Sequence, residues 1–272
     1  MSKLKVTLIQ TDLLWEDKTS NLEMLGRKID NIQEATHVVV LPEMFSTGFS
    51  MKPEQLAEKM NGETVAWMKK KAAEKKMIVT GSVIIEENGN YFNRLIWMLP
   101  NGQHGYYDKR HLFAYAEEDR HYTAGTQRFI ASVNGWKIHL LVCYDLRFPV
   151  WSRQSQTSYP GMELKPTNET EYDVLVYVAN WPERRNTAWK ALLQARAIEN
   201  QSYVIGVNRV GKDGNEINYI GESMVIDPLG EILYQKANEE DVFTITLDKV
   251  HLEKIREKFP FGRDADRFEI FT

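Results

Sequence analysis

The sequence predicts an α/β protein, one domain over residues 1–272, with strands layered against helices. Three observations carry that prediction. Short β-branched runs alternate with segments of helical period. The order of runs in the first half recurs in the second without any recurrence of sequence. Finally, 272 residues that are 43% hydrophobic and 26% charged suffice for one large core. Alternation of this kind buries strands between helices, or between helices and another sheet.

Taken in order, "KVTLIQ" (5–10) is a strand, and "NLEMLGRKIDNIQ" (21–33) sets Leu22, Leu25, Ile29 and Ile32 on one helical face. "HVVVLPE" (37–43) is a buried strand closed by Glu43, "TVAWMKKKAAEKK" (64–76) a helix, and "MIVTGSVI" (77–84) a third strand. The turn signals "ENGN" and "PNG" separate "YFNRLIWML" from "GQHGYYD". The second half gives the strands "WKIHLLVCYD", "DVLVYVAN" and "SYVIGVNRV", with the helix "TAWKALLQARAIENQ" before the last of these. "GESMVID" and "GEILYQ" then flank a Pro-Leu-Gly turn. The polar stretch 152–172, with two prolines and no period, reads as a long surface loop.

Net charge is −4, with lysines and arginines scattered among acids, so the basic footprint of a nucleic-acid or anionic-membrane binder is missing. No apolar run reaches the ~20 residues a membrane span needs, and "MSKLKVTLIQ" has no signal-peptide pattern. A cytoplasmic protein with a small-molecule partner is the expectation. No P-loop, dinucleotide glycine fingerprint or "HExxH" run is present, and one cysteine cannot build a thiolate zinc site alone.

Cys143 is that single cysteine, at the end of an apolar strand. Glu43 also sits where a buried strand stops, an expensive place for an unpaired carboxylate. Separately, each residue has an ordinary explanation: a cysteine packs as a small hydrophobe, a glutamate caps a turn, and Lys109, Glu117 and Glu118 are solvated charges. Together they supply what thiol chemistry on a carbonyl needs, namely a nucleophile, a base in Glu43 and a positive donor in Lys109. Histidine is the more usual base. His139 lies four residues before Cys143 on the same strand face, ~13 Å away, but His111 and His121 leave a Cys–His pair open.

"VVVLPEMFSTGF", "YDKRHLF" and "LLVCYDLRFP", in that order, resemble the Glu, Lys and Cys segments of the nitrilase superfamily of carbon–nitrogen hydrolases. The likeness runs from "KVTLIQTDLLWED" to "SMVIDPLGEIL", and "ANWPERRNTAWKALLQARAIENQSYVIGVNRVG" is closest to the omega-amidase branch. The resemblance implies a four-layer α-β-β-α sandwich that pairs into homodimers. It also implies that Cys143 attacks the amide, Glu43 acts as general base, and Lys109 with the Tyr144 backbone N–H holds the oxyanion. A second glutamate, Glu118 rather than its neighbour Glu117, would position the lysine or the substrate amide. The implied activity releases ammonia from the terminal amide of omega-amido 2-oxo acids such as 2-oxoglutaramate and 2-oxosuccinamate, and requires neither metal nor organic cofactor, in agreement with the missing motifs.

An arginine suits the keto-acid carboxylate, and Arg147 and Arg184 are candidates, although the ordinary reading of Arg147 is an internal ion pair with Asp145 or another acid. Phe45, Phe49, Tyr115 and Trp181 follow the motif segments and could wall the pocket, although each would equally suit the core. Other superfamily amidases or nitrilases, acting on carbamoylated amines, deaminated glutathione or aliphatic nitriles, remain alternatives. So does a catalytically idle interaction protein.

Overall fold

The computed structural model describes residues 3–154, 170–266, 268 and 270. Its first half runs β1 (Lys3–Gln10), α1 (Lys18–Asp30), β2 (Val38–Val40), α2 (Pro53–Leu56), α3 (Glu63–Lys75), β3 (Ile78–Glu87), β4 (Asn90–Met98), β5 (His104–Asp108) and α4 (Glu118–His121). The second half adds β6 (Ile130–Val133), β7 (Trp136–Val142), α5 (Pro149–Ser152), β8 (Val174–Val178), α6 (Asn186–Asn200), β9 (Tyr203–Val207), β10 (Val210–Lys212), β11 (Asn218–Ile226), β12 (Ile232–Ala237), β13 (Asp241–Asp248) and α7 (Lys249–Lys258).

These strands make two sheets, β13-β1-β2-β3-β4-β5 and β10-β11-β9-β8-β7-β6, with β12 also on β11. Each sheet has three parallel strands at its centre, β1-β2-β3 in one and β7-β8-β9 in the other, continued by antiparallel neighbours. Strand parity explains the layering, because successive side chains face opposite sides. Val38 and Val40 join the cluster shared with the second sheet, whereas Val39 between them joins Leu22, Leu25 and Ile29 of α1 and Val65, Met68 and Ala72 of α3. On the far side of the second sheet, α6 approaches β9 closely at Gly206, where a Cβ would meet Leu193 at 2.6 Å and Trp189 at 2.8 Å. The result is the four-layer α-β-β-α sandwich. Each fully buried Val, Leu or Ile in it contributes about 1.5–3 kcal/mol, which makes the sheets a rigid base for the loops at their ends.

Three departures from the sequence reading stand out. The second strand stops at Val40, three residues before Glu43, because Met44 enters the left-handed region at φ 43° and turns the chain into a tight loop. The strand containing the cysteine stops at Val142, and Cys143 opens a 3-10 turn through Arg147. The sequence shows no clear period over 241–258, yet β13 pairs antiparallel with β1 and continues into α7, capped where the Asp248 carboxylate accepts from the Val250 N–H. Of the expected 152–172 loop, residues 155–169 lie outside the described residues; Ser152 closes α5 and Tyr172 is buried.

Candidate active site

A cavity of about 590 Å³ opens where the carboxyl ends of the central strands meet, the usual place for a site in an α/β protein. Cys143, Lys109 and Asn180 line its inner part. Parity brings Lys109 there: Tyr107 on β5 packs into the inter-sheet core, so Lys109, two residues on, follows the same face while Asp108 points outward.

Lys109 is 1% exposed and Glu43 and Glu118 are both 0% exposed, so partners within the protein must stand in for water around all three. The Lys109 Nζ donates to Glu43 Oε1 at 2.9 Å and to Glu118 Oε1 and Oε2 at 3.0 and 2.9 Å. Burial alone would lower the lysine pKa, but the Glu118 and Glu43 carboxylates outweigh it and hold the ammonium well above its ordinary value. Burial raises the pKa of Glu118, and Lys109 opposes that rise in part. Asn93 donates from Nδ2 to Glu43 at 2.8 Å and to Glu118 at 3.4 Å. The Phe113 N–H donates to Glu118 at 2.6 Å. Asn180 clamps Glu43 twice, its backbone N–H on Oε2 at 2.8 Å and its side-chain Nδ2 on the Glu43 carbonyl at 2.6 Å.

Cys143 itself sits at φ 45°, a left-handed conformation that costs a non-glycine residue about 1–2 kcal/mol. Strain of this kind at a strand-to-turn junction lifts the side chain out of the sheet, and functional sites are where it is commonly kept. The thiol lies 3.9 Å from the Asn180 carbonyl. Burial pushes its pKa well up, the adjacent Glu43 carboxylate adds to the rise, and the Lys109 ammonium pulls the other way without prevailing. The resting thiol is therefore protonated at neutral pH. A protonated thiol beside a hydrogen-bonded carboxylate and an ammonium can attack a carbonyl carbon if its proton leaves as the bond forms.

The turn that carries Cys143 is tied down by Asp145, which is not the ion-pair partner of Arg147. Its carboxylate accepts from the Tyr107 hydroxyl at 2.8 Å, from the Val142 N–H at 3.0 Å and from both the N–H and Nδ1 of His111, at 3.0 and 2.8 Å. His111 is thereby turned away, stacked on Phe148 at 3.8 Å, and no histidine among the described residues lines the cavity. The Cys–His alternative thus finds no histidine at the thiol.

The other expected residues divide. Phe49, Tyr115, Tyr144, Arg147, Trp181 and Arg184 all line the cavity. Phe45 does not: it is fully buried 5.8 Å from Trp67 of α3, under Gly81, on the helix side of the first sheet. Glu117 points outward to Arg120. Asn93, Asn180 and Arg185 are absent from the sequence reading. An asparagine gives no ionisable signal, and only the geometry of the 183–185 turn separates Arg185 from Arg184. Among the described residues no group of three His, Cys, Asp or Glu side chains is placed to share a metal ion.

Comparison with known proteins follows the same lines. A model of the carbon–nitrogen hydrolase family matches residues 5–257. The omega-amidase YafV of Escherichia coli is 44% identical over 272 residues, covering 100% of both chains. The 2-oxoglutaramate amidase of Bacillus subtilis is 31% identical over 96% of this chain and 97% of its own. Among solved structures, a CN-hydrolase superfamily protein of Xanthomonas campestris with an arsenic adduct in its active site superposes with a TM-score of 0.93 at 41% identity, each chain covered in full.

Proposed function

This chain belongs to the carbon–nitrogen hydrolase family, and from that premise we propose that it is an omega-amidase: a cysteine amidohydrolase that releases ammonia from the terminal amide of 2-oxoglutaramate and 2-oxosuccinamate. The observation that carries the reading is the buried Lys109 ammonium bridging Glu43 and Glu118 at the base of the cavity that Cys143 lines. Similarity to the omega-amidase of Escherichia coli and the 2-oxoglutaramate amidase of Bacillus subtilis supports the substrate class.

The Cys143 proton passes to Glu43 as the sulfur attacks the amide carbon. The oxyanion is met by the Lys109 ammonium and the Tyr144 N–H, one of the first N–H groups of a turn, which have no partner within it. Glu43 returns the proton to the leaving nitrogen, ammonia departs and a thioester remains. Glu43 then takes a proton from water as hydroxide adds to the thioester carbon, the C–S bond breaks to free the acid, and Glu43 returns the proton to the sulfur, restoring the thiol. Glu118 keeps Lys109 charged and aimed.

The same reading makes residues 1–272 one catalytic domain that works as a cytoplasmic homodimer. No helix among the described residues is long and apolar enough to cross a membrane. Ile198, Leu229 and Phe261 are more than half exposed, apolar surface that a second copy would cover. Light scattering at micromolar concentration is expected to give twice the chain mass.

The test of function is ammonia release from 2-oxoglutaramate, with succinamate, glutamine and a simple nitrile as comparators, by wild type and Cys143→Ala. Release from the keto amide that vanishes in the variant is the expected result. A wild type that leaves the keto amide untouched overturns the assignment.

A further inference from the structure

Three guanidinium groups, on Arg147, Arg184 and Arg185, face one cavity, and none has a carboxylate within ion-pair distance among the described residues. The two acids that line the same cavity are already engaged. Glu16 accepts from Ser50 and Lys52, and Asp213 accepts from the Asn215 and Ile217 N–H groups and from the Tyr219 hydroxyl. Each guanidinium lies instead over an aromatic ring, Arg147 over Trp181 at 5.0 Å, Arg184 over Tyr115 at 5.9 Å and Arg185 over Phe113 at 4.8 Å. A ring face leaves the planar fork of donors open to a ligand.

Depth separates the three. The ring under Arg184 is 77% exposed, so that arginine belongs to the rim. Phe113 is half-buried and sits deeper: its N–H holds Glu118 and its ring packs on Tyr144 at 4.9 Å, next to the nucleophile. Arg185 is also anchored, its N–H bonded to the Pro182 carbonyl and its own carbonyl accepting from the Trp181 indole at 2.9 Å. Burial lowers its pKa, the Cys143 sulfur raises it, and Arg184 and Arg147 lower it further, so it feels both the reaction centre and the surplus positive charge.

We infer that Arg185, flanked by Arg147, is the specificity residue that grips the carboxylate of the substrate, so that the cavity selects amides carrying an anion at the far end of a short chain. The inference rests on the omega-amidase reading for the identity of the substrate. It does not rest on that reading for the existence of the anion site.

The experiment compares wild type, Arg185→Gln and Arg185→Lys on 2-oxoglutaramate and on pentanamide, an uncharged amide of equal length. Arg185→Gln is expected to raise KM for the keto amide about 30- to 100-fold, the range for losing a charged bidentate contact, and to leave kcat within about threefold. The preference for the keto amide over pentanamide falls with it, and Arg185→Lys recovers part of the loss. A KM change below threefold, or an equal loss on both amides, overturns the proposal. Should wild type not hydrolyse 2-oxoglutaramate, the functional reading fails by itself, and calorimetric titration of the Cys143→Ala protein with glutarate decides the site. Binding that weakens at least tenfold on adding Arg185→Gln supports it; no binding, or binding indifferent to Arg185, sinks it.

Discussion

Two buried cations lie one strand apart and look alike by every local measure. Arg94 of β4 and Lys109 after β5 are each 1% exposed, and each bridges two carboxylates. Arg94 holds Asp108 at 2.7 Å and Glu87 at 3.0 Å and lies 3.8 Å from the Tyr106 ring. The difference is the face of the sheet. Asn93 and Arg94 are consecutive, so Asn93 turns inward to Glu43 and Glu118 while Arg94 turns outward, where the Glu87 side chain is 43% exposed. The Lys109 partners see no water at all, and beside them is a thiol. A buried ion pair is thus weak evidence of function; a fully closed one facing a cavity and a nucleophile is strong evidence.

Replacing each cation tests the contrast. Lys109→Met removes an oxyanion donor and strands two carboxylates, so kcat/KM on the keto amide is expected to fall about 10³-fold. Urea unfolding of that variant should lose about 3 kcal/mol, the lower end for breaking a fully buried pair. Arg94→Met should cost about 1–2 kcal/mol, less because Glu87 can turn to water, and should leave kcat/KM within about threefold. If Arg94→Met damaged turnover as much as Lys109→Met does, the division between the two faces would be wrong.

The thiol gives a smaller and independent effect. Because burial and Glu43 raise the Cys143 pKa, less thiolate is present at pH 7 than for an ordinary cysteine. Iodoacetamide should therefore alkylate Cys143 at least about tenfold more slowly than a free thiol, with the rate climbing through pH 9 rather than levelling near 8.5. A plateau below pH 8 would mean a stored thiolate, and would move the first proton transfer out of the catalytic step.

How far the sequence could be read follows the same inside–outside division. Runs such as "VVV" and the spacing of Leu22, Leu25 and Ile29 mark elements whose burial is decided locally, and a strand and a helix form at those runs, the strand shorter than expected. β13 and α7 escaped because only Leu247 in the first and Leu252 and Ile255 in the second are buried, too few positions to set a period. Glu43 and Cys143 stand out as ionisable groups closing apolar strands, and Lys109 through the resemblance of its "YDKRHLF" segment. Asn180 does not, although it joins Glu43 to the second sheet, because its role exists only once segments 137 residues apart are brought together. Phe45 takes the core rather than the pocket for the converse reason: proximity in sequence to Glu43 says nothing about which face of the sheet a ring will take.

The smallest expected effect concerns two neighbouring glutamates, which repeat the contrast between Arg94 and Lys109. Glu118 is fully buried on Lys109, whereas Glu117 is solvent-facing, paired with Arg120 on the surface, and holds φ at 60°. Its side chain does nothing for the site, but its backbone conformation is one that glycine adopts without penalty. Glu117→Gly should therefore leave kcat/KM within about twofold and stabilise the fold by about 0.5 kcal/mol, the relief of left-handed strain being partly offset by greater freedom of the unfolded chain. The surface pair with Arg120 contributes too little to change that sign. A loss of turnover in Glu117→Gly would mean that this turn sets the position of Glu118 through its side chain. The charge on Lys109 would then depend on the surface as well as on the interior.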